Sequence, residues 1–379
     1  MQRDHDIHYM REALELGRYA LGRTAPNPSV GAVVVDERGV AGRGWTQPVG
    51  GAHAEIEALT EAGERARGST LYVTLEPCAH HGRTPPCVDA ILAAGIARCV
   101  LATTDPYPEV HGKGIEALHA RGVTVETGVC EADARELLAG YLSRVQRGRP
   151  LVRAKYAMTL DGRIATRTGQ SRWITGPIAR RQAHVFRDRA DAVLVGAGTV
   201  NTDDPALTTR LPEEFTGDGG PHHPLRVVVD GRGTTSRSAQ VYRSDLPGRT
   251  LVATTAEAPA WWLNDLAEEG VEHLLCGIGP TVDLSFLLEE LGTRGINEVL
   301  VEGGSRMLGA FFDADLVDRI AAFVAPVVVG GRGAPGPVGG HGRESIHEAM
   351  RLTGVTITPF DQDVLIEGVV APPATEGHS

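Results

Sequence analysis

Three candidate metal ligands and one carboxylate carry the most explicit chemistry in this sequence. His53-Ala54-Glu55 is followed by Glu76-Pro77-Cys78 and, after eight intervening residues, by Cys87. One histidine and two cysteines give zinc three ligands and leave its fourth position to water. Zinc hydrolases need a carboxylate beside that water, and Glu55 stands two positions from His53. The chemistry implied is attack of a zinc-activated hydroxide on an amidine-like carbon that bears an amino group. Glu55 would take the proton from water and pass it to a ring nitrogen and then to departing ammonia. A structural zinc site is the alternative, with His80 or His81 as a fourth protein ligand. Cys99, Cys130 and Cys276 lack ligand spacing and read as core thiols.

The second half of the chain is less explicit. Val299-Leu-Val-Glu302-Gly303-Gly304-Ser305 reads as a strand running into a glycine turn and a helix over Met307–Phe312. A helix N-terminus beside glycines suits a phosphate or pyrophosphate. Gly196-Ala-Gly198-Thr199 is a second such turn. Neither is G-x-G-x-x-G, and tight-turn glycines explain both equally well.

The elements that must position these residues alternate. An amphipathic helix opens the chain over 6–21, and a hairpin follows around Ala32–Val35. Gly50-Gly51-Ala52 leads into a helix holding His53 and Glu55. Strands are predicted over Ser69–Leu75, Arg98–Thr104 and Val123–Thr127. The Pro85-Pro86 pair starts a helix that carries Cys87 in its first turn and runs to Gly95. A further helix runs through about Arg144, and Gln146–Pro150 reads as a linker. Beyond it the pattern predicts strands at 151–156, 192–195, 226–230, 250–254, 273–276, 298–301, 319–324, 355–358 and 364–369. Helices are predicted near 177–187, 283–293 and 305–312. This alternation predicts mostly parallel sheets packed by helices, with function at the carboxyl ends of strands. The expectation is two unrelated α/β domains, 1–146 and 151–371, and a disordered tail over 372–379.

Composition narrows the partners. The chain has 379 residues, with 37 basic against 48 acidic side chains and a net charge of −11, which argues against nucleic acid. Five cysteines, an odd number, do not suggest a disulfide framework and point to a reducing compartment. The charged N-terminus has no apolar signal-peptide region, and the longest apolar run, Ile320–Val329, is too short to span a bilayer. The expectation is a cytoplasmic protein with no membrane or nucleic-acid partner.

The eight-residue spacer then becomes informative. H-x-E with P-C-x-x-C is a zinc-deaminase signature, and deaminases of bases and nucleosides keep their cysteines two residues apart. The string Glu76-Pro-Cys-x-His80-x-Gly-Arg83-Thr-Pro-Pro-Cys87 instead resembles the deaminase domain of the bifunctional RibD family of riboflavin biosynthesis. Pro26-Asn27-Pro28-x-Val30-Gly31, Asp105-Pro106-x-Pro108 and Gly112-Lys113-Gly114 match the same family. The resemblance continues through Lys155–Arg163, Ser171–Thr175 and Asn201–Arg210, and covers about residues 8–370. It implies a cytidine-deaminase-like α/β/α domain followed by a dihydrofolate-reductase-like α/β domain. The cofactors implied are one zinc ion per chain, held by His53, Cys78 and Cys87, and NADPH. The substrates implied are small phosphorylated pyrimidines, and the assembly implied is a homo-oligomer.

By the same resemblance, the first domain removes the 2-amino group of diaminohydroxyphosphoribosylaminopyrimidine. Asn27, His80, Arg83, Asp105 and Lys113 would contact that substrate, with His81 a further phosphate donor. The residue after Asp105-Pro106 is usually Asn in the family and is Tyr107 here. The second domain would transfer hydride to the ribose and open it to a ribityl chain. Ala157, Trp173, Thr199, Asp203 and the loop Gly304, Ser305, Arg306, Met307, Leu308, Gly309 and Ala310 would line NADPH. Lys155, Ser171, Arg187, Leu207, Arg210 and Glu302 would contact the ribosyl phosphate, with Arg187 and Arg210 as guanidinium clamps. Lys155 and Asp161 are candidates for positioning or proton handling, although Asp161 is equally well explained as a turn former before Gly162.

Overall fold

The computed structural model describes residues 2–80, 85–216 and 219–371. His81, Arg83 and the tail 372–379 lie outside these residues. The chain divides into two compact units, 1–150 with 292–297 and 151–291 with 298–379.

The first unit runs α1 (Gln2–Tyr19), β1 (Gly31–Asp36), β2 (Gly39–Trp45), α2 (Ala54–Ala62), β3 (Thr70–Val73), α3 (Cys87–Ala94), β4 (Arg98–Leu101), α4 (Lys113–Ala120), β5 (Thr124–Thr127), α5 (Glu131–Leu137) and α6 (Ala139–Arg147). Its five strands lie in the order β2-β1-β3-β4-β5. Only the β3–β4 and β4–β5 pairs are parallel; β1 pairs antiparallel with both β2 and β3. The sheet is therefore mixed, which corrects the expectation of a mostly parallel one in this half. The reason is the opening hairpin: a short β1–β2 turn allows only antiparallel pairing. Alternate strand residues point to opposite faces. Ala32, Val34, Leu71, Val73, Cys99 and Leu101 pack with Ala58, Ile91, Leu118 and Leu142. Val33, Tyr72 and Val100 pack with Met10, Leu14 and Ala134 on the other side. Both faces are covered by helices, giving three α/β/α layers.

Two glycines of β2 set the position of α2. A Cβ on Gly44 would stand 2.1 Å from the Ala54 carbonyl oxygen, and one on Gly42 would stand 2.1 Å from that of Ala58. The helix thus lies backbone to backbone on the strand, a contact that only glycine permits.

The second unit contains β6 (Leu151–Thr159), α7 (Pro177–Arg189), β7 (Ala192–Gly196), α8 (Ala197–Asp203), β8 (Leu225–Val229), β9 (Thr250–Thr254), α9 (Ala260–Glu268), β10 (Glu272–Leu275), α10 (Leu284–Thr293), β11 (Glu298–Val301), α11 (Ser305–Asp313), β12 (Arg319–Ala325), β13 (Leu352–Phe360) and β14 (Asp363–Val370). The sheet order is β10-β9-β8-β7-β11-β6-β12-β14-β13. The first seven strands in that order are parallel, and the β14–β13 hairpin adds an antiparallel edge. Val193, Val195, Val228, Val252, Leu300 and Phe323 pack against Phe186 of α7 and against Trp262 and Leu266 of α9. All nine predicted strands of this half are present. Helices α4, α8 and α9 were not foreseen. In α8, the glycines at 196 and 198 read as a turn, yet they open a helix of seven residues.

Candidate active sites

His53 caps the N-terminus of α2 and Glu55 lies in its first turn, so the packing of α2 on Gly44 places both. Cys78 follows β3, and Cys87 is the first residue of α3, whose C-terminus closes on Gly95 in the left-handed conformation. His53 Nδ1 lies 3.2 Å from Cys87 Sγ and 3.7 Å from Cys78 Sγ. Zinc bonded to sulfur at about 2.3 Å and nitrogen at about 2.0 Å holds its ligands roughly 3.5–3.8 Å apart. The three ligand atoms, all within 4.8 Å of one another, fit that ion. The hydrogen bond from Cys87, opposed by burial and aided by His53, holds the Cys78 thiol below its ordinary range, while the same contact and burial push Cys87 up. One proton is thus shed readily from the pair, as metal binding requires. Burial first, and then the charge of Cys78, pushes the Glu55 carboxyl up to about 7.

His53, Glu55 and Cys78 form one wall of a cavity of about 360 Å³, also lined by Asn27, Leu75, His80, Asp105, Tyr107, Tyr141 and Arg144, with Cys87 buried behind it. The volume suits a small substrate. The buried Nδ1 of His80 has no partner among the described residues. Asp105 accepts from the Tyr107 amide at 2.9 Å and from the Tyr141 hydroxyl at 3.0 Å. Burial raises its pKa against the pull of those two donors. Tyr107 tilts against His80 with ring centroids 6.3 Å apart. Lys113 does not line the cavity; its ammonium donates to the Pro108 carbonyl at 3.2 Å.

Several site residues escaped the sequence reading. The most consequential is Glu76, a buried carboxylate that accepts from the backbone amides of Asp105 (3.2 Å), Gly112 (3.1 Å), Gly114 (3.0 Å) and Ile115 (3.4 Å). It fixes the loop from Asp105 and the first turn of α4 against the segment that joins β3 to Cys78. Arg144 donates to the Pro26 carbonyl at 2.7 Å and so holds the turn that carries Asn27. The E-P-C motif marked Glu76 as a family residue, but no local signal showed its partners.

In the second unit, β7, β11 and β6 are neighbours at the centre of the sheet, and the candidate residues gather at their carboxyl ends. The Thr199 hydroxyl accepts from the Gly304 amide at 3.2 Å, joining the turn after β7 to the turn after β11. Residues 305–310 form the opening turns of α11 and not a loop. Gly304 caps that helix, and the Ser305 and Arg306 amides of its first turn point out of the helix ladder. This open amide end beside two glycines fits the pyrophosphate of a dinucleotide. Leu308 is fully buried, and a Cβ on Gly309 would meet the Gly339 backbone at 2.4 Å, so both are packed inside while Arg306 and Ala310 are exposed. Trp173 is 69% exposed, with the Arg180 guanidinium 4.4 Å from its ring centre. Ser171 donates to Asp203 at 3.3 Å and Arg172 to the Asp203 carbonyl at 2.6 Å, tying this segment to the end of α8. Ala157 lies on β6, half-buried.

Glu302, just after β11, anchors a charged cluster. Arg187 donates to both of its oxygens, at 2.6 and 3.0 Å, and to the Thr208 carbonyl at 3.1 Å; Lys155 lies 3.4 Å from the carboxylate. Burial opposes ionisation of Glu302, but the charges of Arg187 and Lys155 outweigh it and hold the carboxyl at about 2. Arg187 is thus largely spent on Glu302. Leu207 is buried with a φ of 53°. Arg210 is exposed and beside His184. Asp161 accepts from Thr159 (2.6 Å) and from the amides of Val329 (3.1 Å) and Gly330 (2.7 Å), which makes it a loop fastener.

Comparison with known proteins agrees with both halves. Residues 3–103 match the cytidine and deoxycytidylate deaminase zinc-binding region, and residues 150–366 match the RibD C-terminal domain. The riboflavin biosynthesis protein RibD of Aquifex aeolicus is 42% identical over 97% of this chain and 99% of its own length. That of Escherichia coli is 40% identical, covering 86% and 89%. Among solved structures, Acinetobacter baumannii RibD superposes with a TM-score of 0.86 at 36% identity over 98% of this chain and all of that one. A deaminase/reductase from Thermotoga maritima gives 0.84 at 35% identity with the same coverage. With a His-Cys-Cys zinc cluster in the first unit and a RibD C-terminal domain in the second, the chain belongs to the RibD family of bifunctional riboflavin-biosynthesis enzymes, which join a zinc deaminase domain to a pyrimidine reductase domain.

Proposed function

We propose the following division of labour among the residues of this chain. The observation that carries it is that the His53, Cys78 and Cys87 cluster reaches, through His53 and Cys78, the same wall of a substrate-sized cavity that Glu55 lines. His53, Cys78 and Cys87 hold zinc, and zinc supplies the Lewis acidity that activates water at neutral pH. Glu55 accepts the proton of that water, delivers it to the ring nitrogen of diaminohydroxyphosphoribosylaminopyrimidine, and then carries the proton of the newly added hydroxyl to the amino group, which leaves as ammonia while the carbonyl forms. Its burial keeps the proton within the site. Asn27 and Asp105 hold the pyrimidine edge, and His80 offers its free nitrogen to the substrate. Arg83 and Lys113 serve the phosphate.

In the second unit, NADPH supplies hydride to the ribosyl group of 5-amino-6-(5-phosphoribosylamino)uracil, the substrate named for the Thermotoga maritima protein. Thr199, Asp203, Ala157, Trp173 and the residues 304–310 line the cofactor. Glu302, kept ionised by Arg187 and Lys155, faces the sugar, and Ser171, Leu207 and Arg210 receive the phosphate end. The domains proposed are 1–146 and 151–371. The enzyme acts in the cytoplasm as a homo-oligomer; exposed Val355 and Ile357 on the edge strand β13 support assembly, and sedimentation against the chain mass of 40.2 kDa tests it. Among the described residues no helix is long and apolar enough to cross a membrane.

Glu55→Gln tests the deaminase assignment. The expected variant retains zinc at one ion per chain while ammonia release falls by about a hundredfold or more. Ammonia release at the wild-type rate would remove Glu55 from the mechanism.

A further inference from the structure

Beside the Glu302 cluster stands a residue with no role in the reading above. His184 lies on α7, three positions before Arg187. Its Nδ1 accepts from the backbone amide of Arg210 at 3.3 Å. A neutral imidazole with one nitrogen accepting carries its hydrogen on the other, so Nε2 is a donor. Yet Nε2 faces the Arg210 guanidinium, which can only donate, at 3.5 Å. The opposite tautomer moves the conflict to the Arg210 amide, which has no other orientation available. Two donors therefore face each other with no acceptor between them. Arg210 has no carboxylate partner among the described residues, and the neighbouring carboxylate, Glu302, is taken by Arg187 and Lys155.

We propose that His184 and Arg210 form a two-point clamp on the phosphate monoester of the reductase substrate, and that His184 takes up a proton as the phosphate binds. This rests on reading the charged cluster as the ribosyl-phosphate site. The phosphate oxygens supply the missing acceptor to both donors at once. The groups facing the imidazole are Arg187 on its own helix, Arg210 on the adjoining segment, Lys155 on β6 and Glu302 after β11. Burial first, and then repulsion from Arg187 and Arg210, pulls the His184 pKa down to about 4 and keeps the ring neutral in the free enzyme. A dianion seated between the two cations reverses that repulsion and raises the pKa of the bound state. The charged-ring contribution to binding is then present at low pH and lost as pH rises through the bound-state value.

The test measures reductase KM and kcat from pH 6 to 9 for wild type, His184→Asn, His184→Gln and Arg210→Ala. The substrate is the deaminated phosphoribosyl compound, with its dephosphorylated form as control. Asn retains an acceptor for the Arg210 amide but loses the donor aimed at phosphate; Gln retains a donor that cannot be charged. In His184→Asn the expected KM rises about tenfold or more near pH 6.5, with kcat within about twofold. In His184→Gln the loss is smaller, and its gap from wild type closes toward pH 9. The dephosphorylated compound responds to neither. A KM unchanged near pH 6.5 in His184→Asn while Arg210→Ala raises it would overturn the clamp and leave the site reading intact. Equal losses for both compounds at every pH would reduce His184 to a packing role. A wild type indifferent to the phosphate, with Arg210→Ala silent, would remove the phosphate site and the clamp together.

Discussion

At the scale of single residues, the deaminase site divides into atoms that do chemistry and atoms that hold them in place. Only the first kind was legible in the sequence. His53, Glu55, Cys78 and Cys87 were readable because zinc chemistry dictates residue type and local spacing. Glu76 was not, because its partners lie as far as 39 positions along the chain and are backbone amides, which carry no side-chain signature. His184 was missed for a similar reason: a lone histidine on a helix gains meaning only from Arg210, 26 positions away. The role of Glu76 can be tested. Its carboxylate has acceptor positions for four N–H groups, and Glu76→Gln turns one oxygen into a donor that faces two of them. Buried donors left unpaired cost about 1–3 kcal/mol each, so the exchange should destabilise the first unit by about 2–3 kcal/mol. Urea unfolding followed in that unit would show it. Because the segment 105–115 is released, the KM of the deaminase should rise more than its zinc affinity falls. A variant with the wild-type midpoint and KM would mean that water replaces the lost acceptor.

At the scale of elements, the zinc site depends on how closely one helix approaches one strand. His53 and Glu55 stand at the first turn of α2, and α2 rests on the glycine-bearing face of β2. Glycine lowers strand propensity, so Gly42 and Gly44 weaken β2 taken by itself. The structure shows the compensating gain: the helix backbone occupies the space of the missing side chains. Strand positions were legible because apolar runs mark them. Helices α8 and α9 were hidden, since α8 opens with two glycines and α9 with paired tryptophans, neither of which advertises helix. Gly44→Ala places a methyl 2.1 Å from the Ala54 carbonyl oxygen, which α2 can relieve only by moving outward. The shift carries His53 away from Cys78 and Cys87. Zinc content should fall well below one per chain, with deaminase activity following it. Full zinc occupancy in a folded Gly44→Ala chain would show that the strand bends instead, and that α2 is not the element that sets the site.

At the scale of the molecule, two sets of chemistry sit in separate compact units. The zinc ligands all come from the first unit, and the charged cluster on Glu302 all from the second. The substrate chemistry orders them: deamination turns the pyrimidine into a uracil, and the reductase acts on the uracil. Sequence revealed this division because each unit carries its own motifs. It did not reveal the mixed sheet of the first unit, since strand pairing depends on contacts that no local pattern encodes. Removing the metal tests the order and the separation together. After chelation, NADPH oxidation started from the diamino compound should stop, because no uracil product is formed. Oxidation started from 5-amino-6-(5-phosphoribosylamino)uracil should continue near the untreated rate, since His53, Cys78 and Cys87 all belong to the first unit. Restoring zinc should bring back the first reaction alone. If the diamino compound still drives oxidation once zinc is gone, the reductase accepts it directly and the order fails. If the uracil-driven rate falls in step with zinc, the metal supports the second unit as well, and two independent sites on one chain is the wrong description.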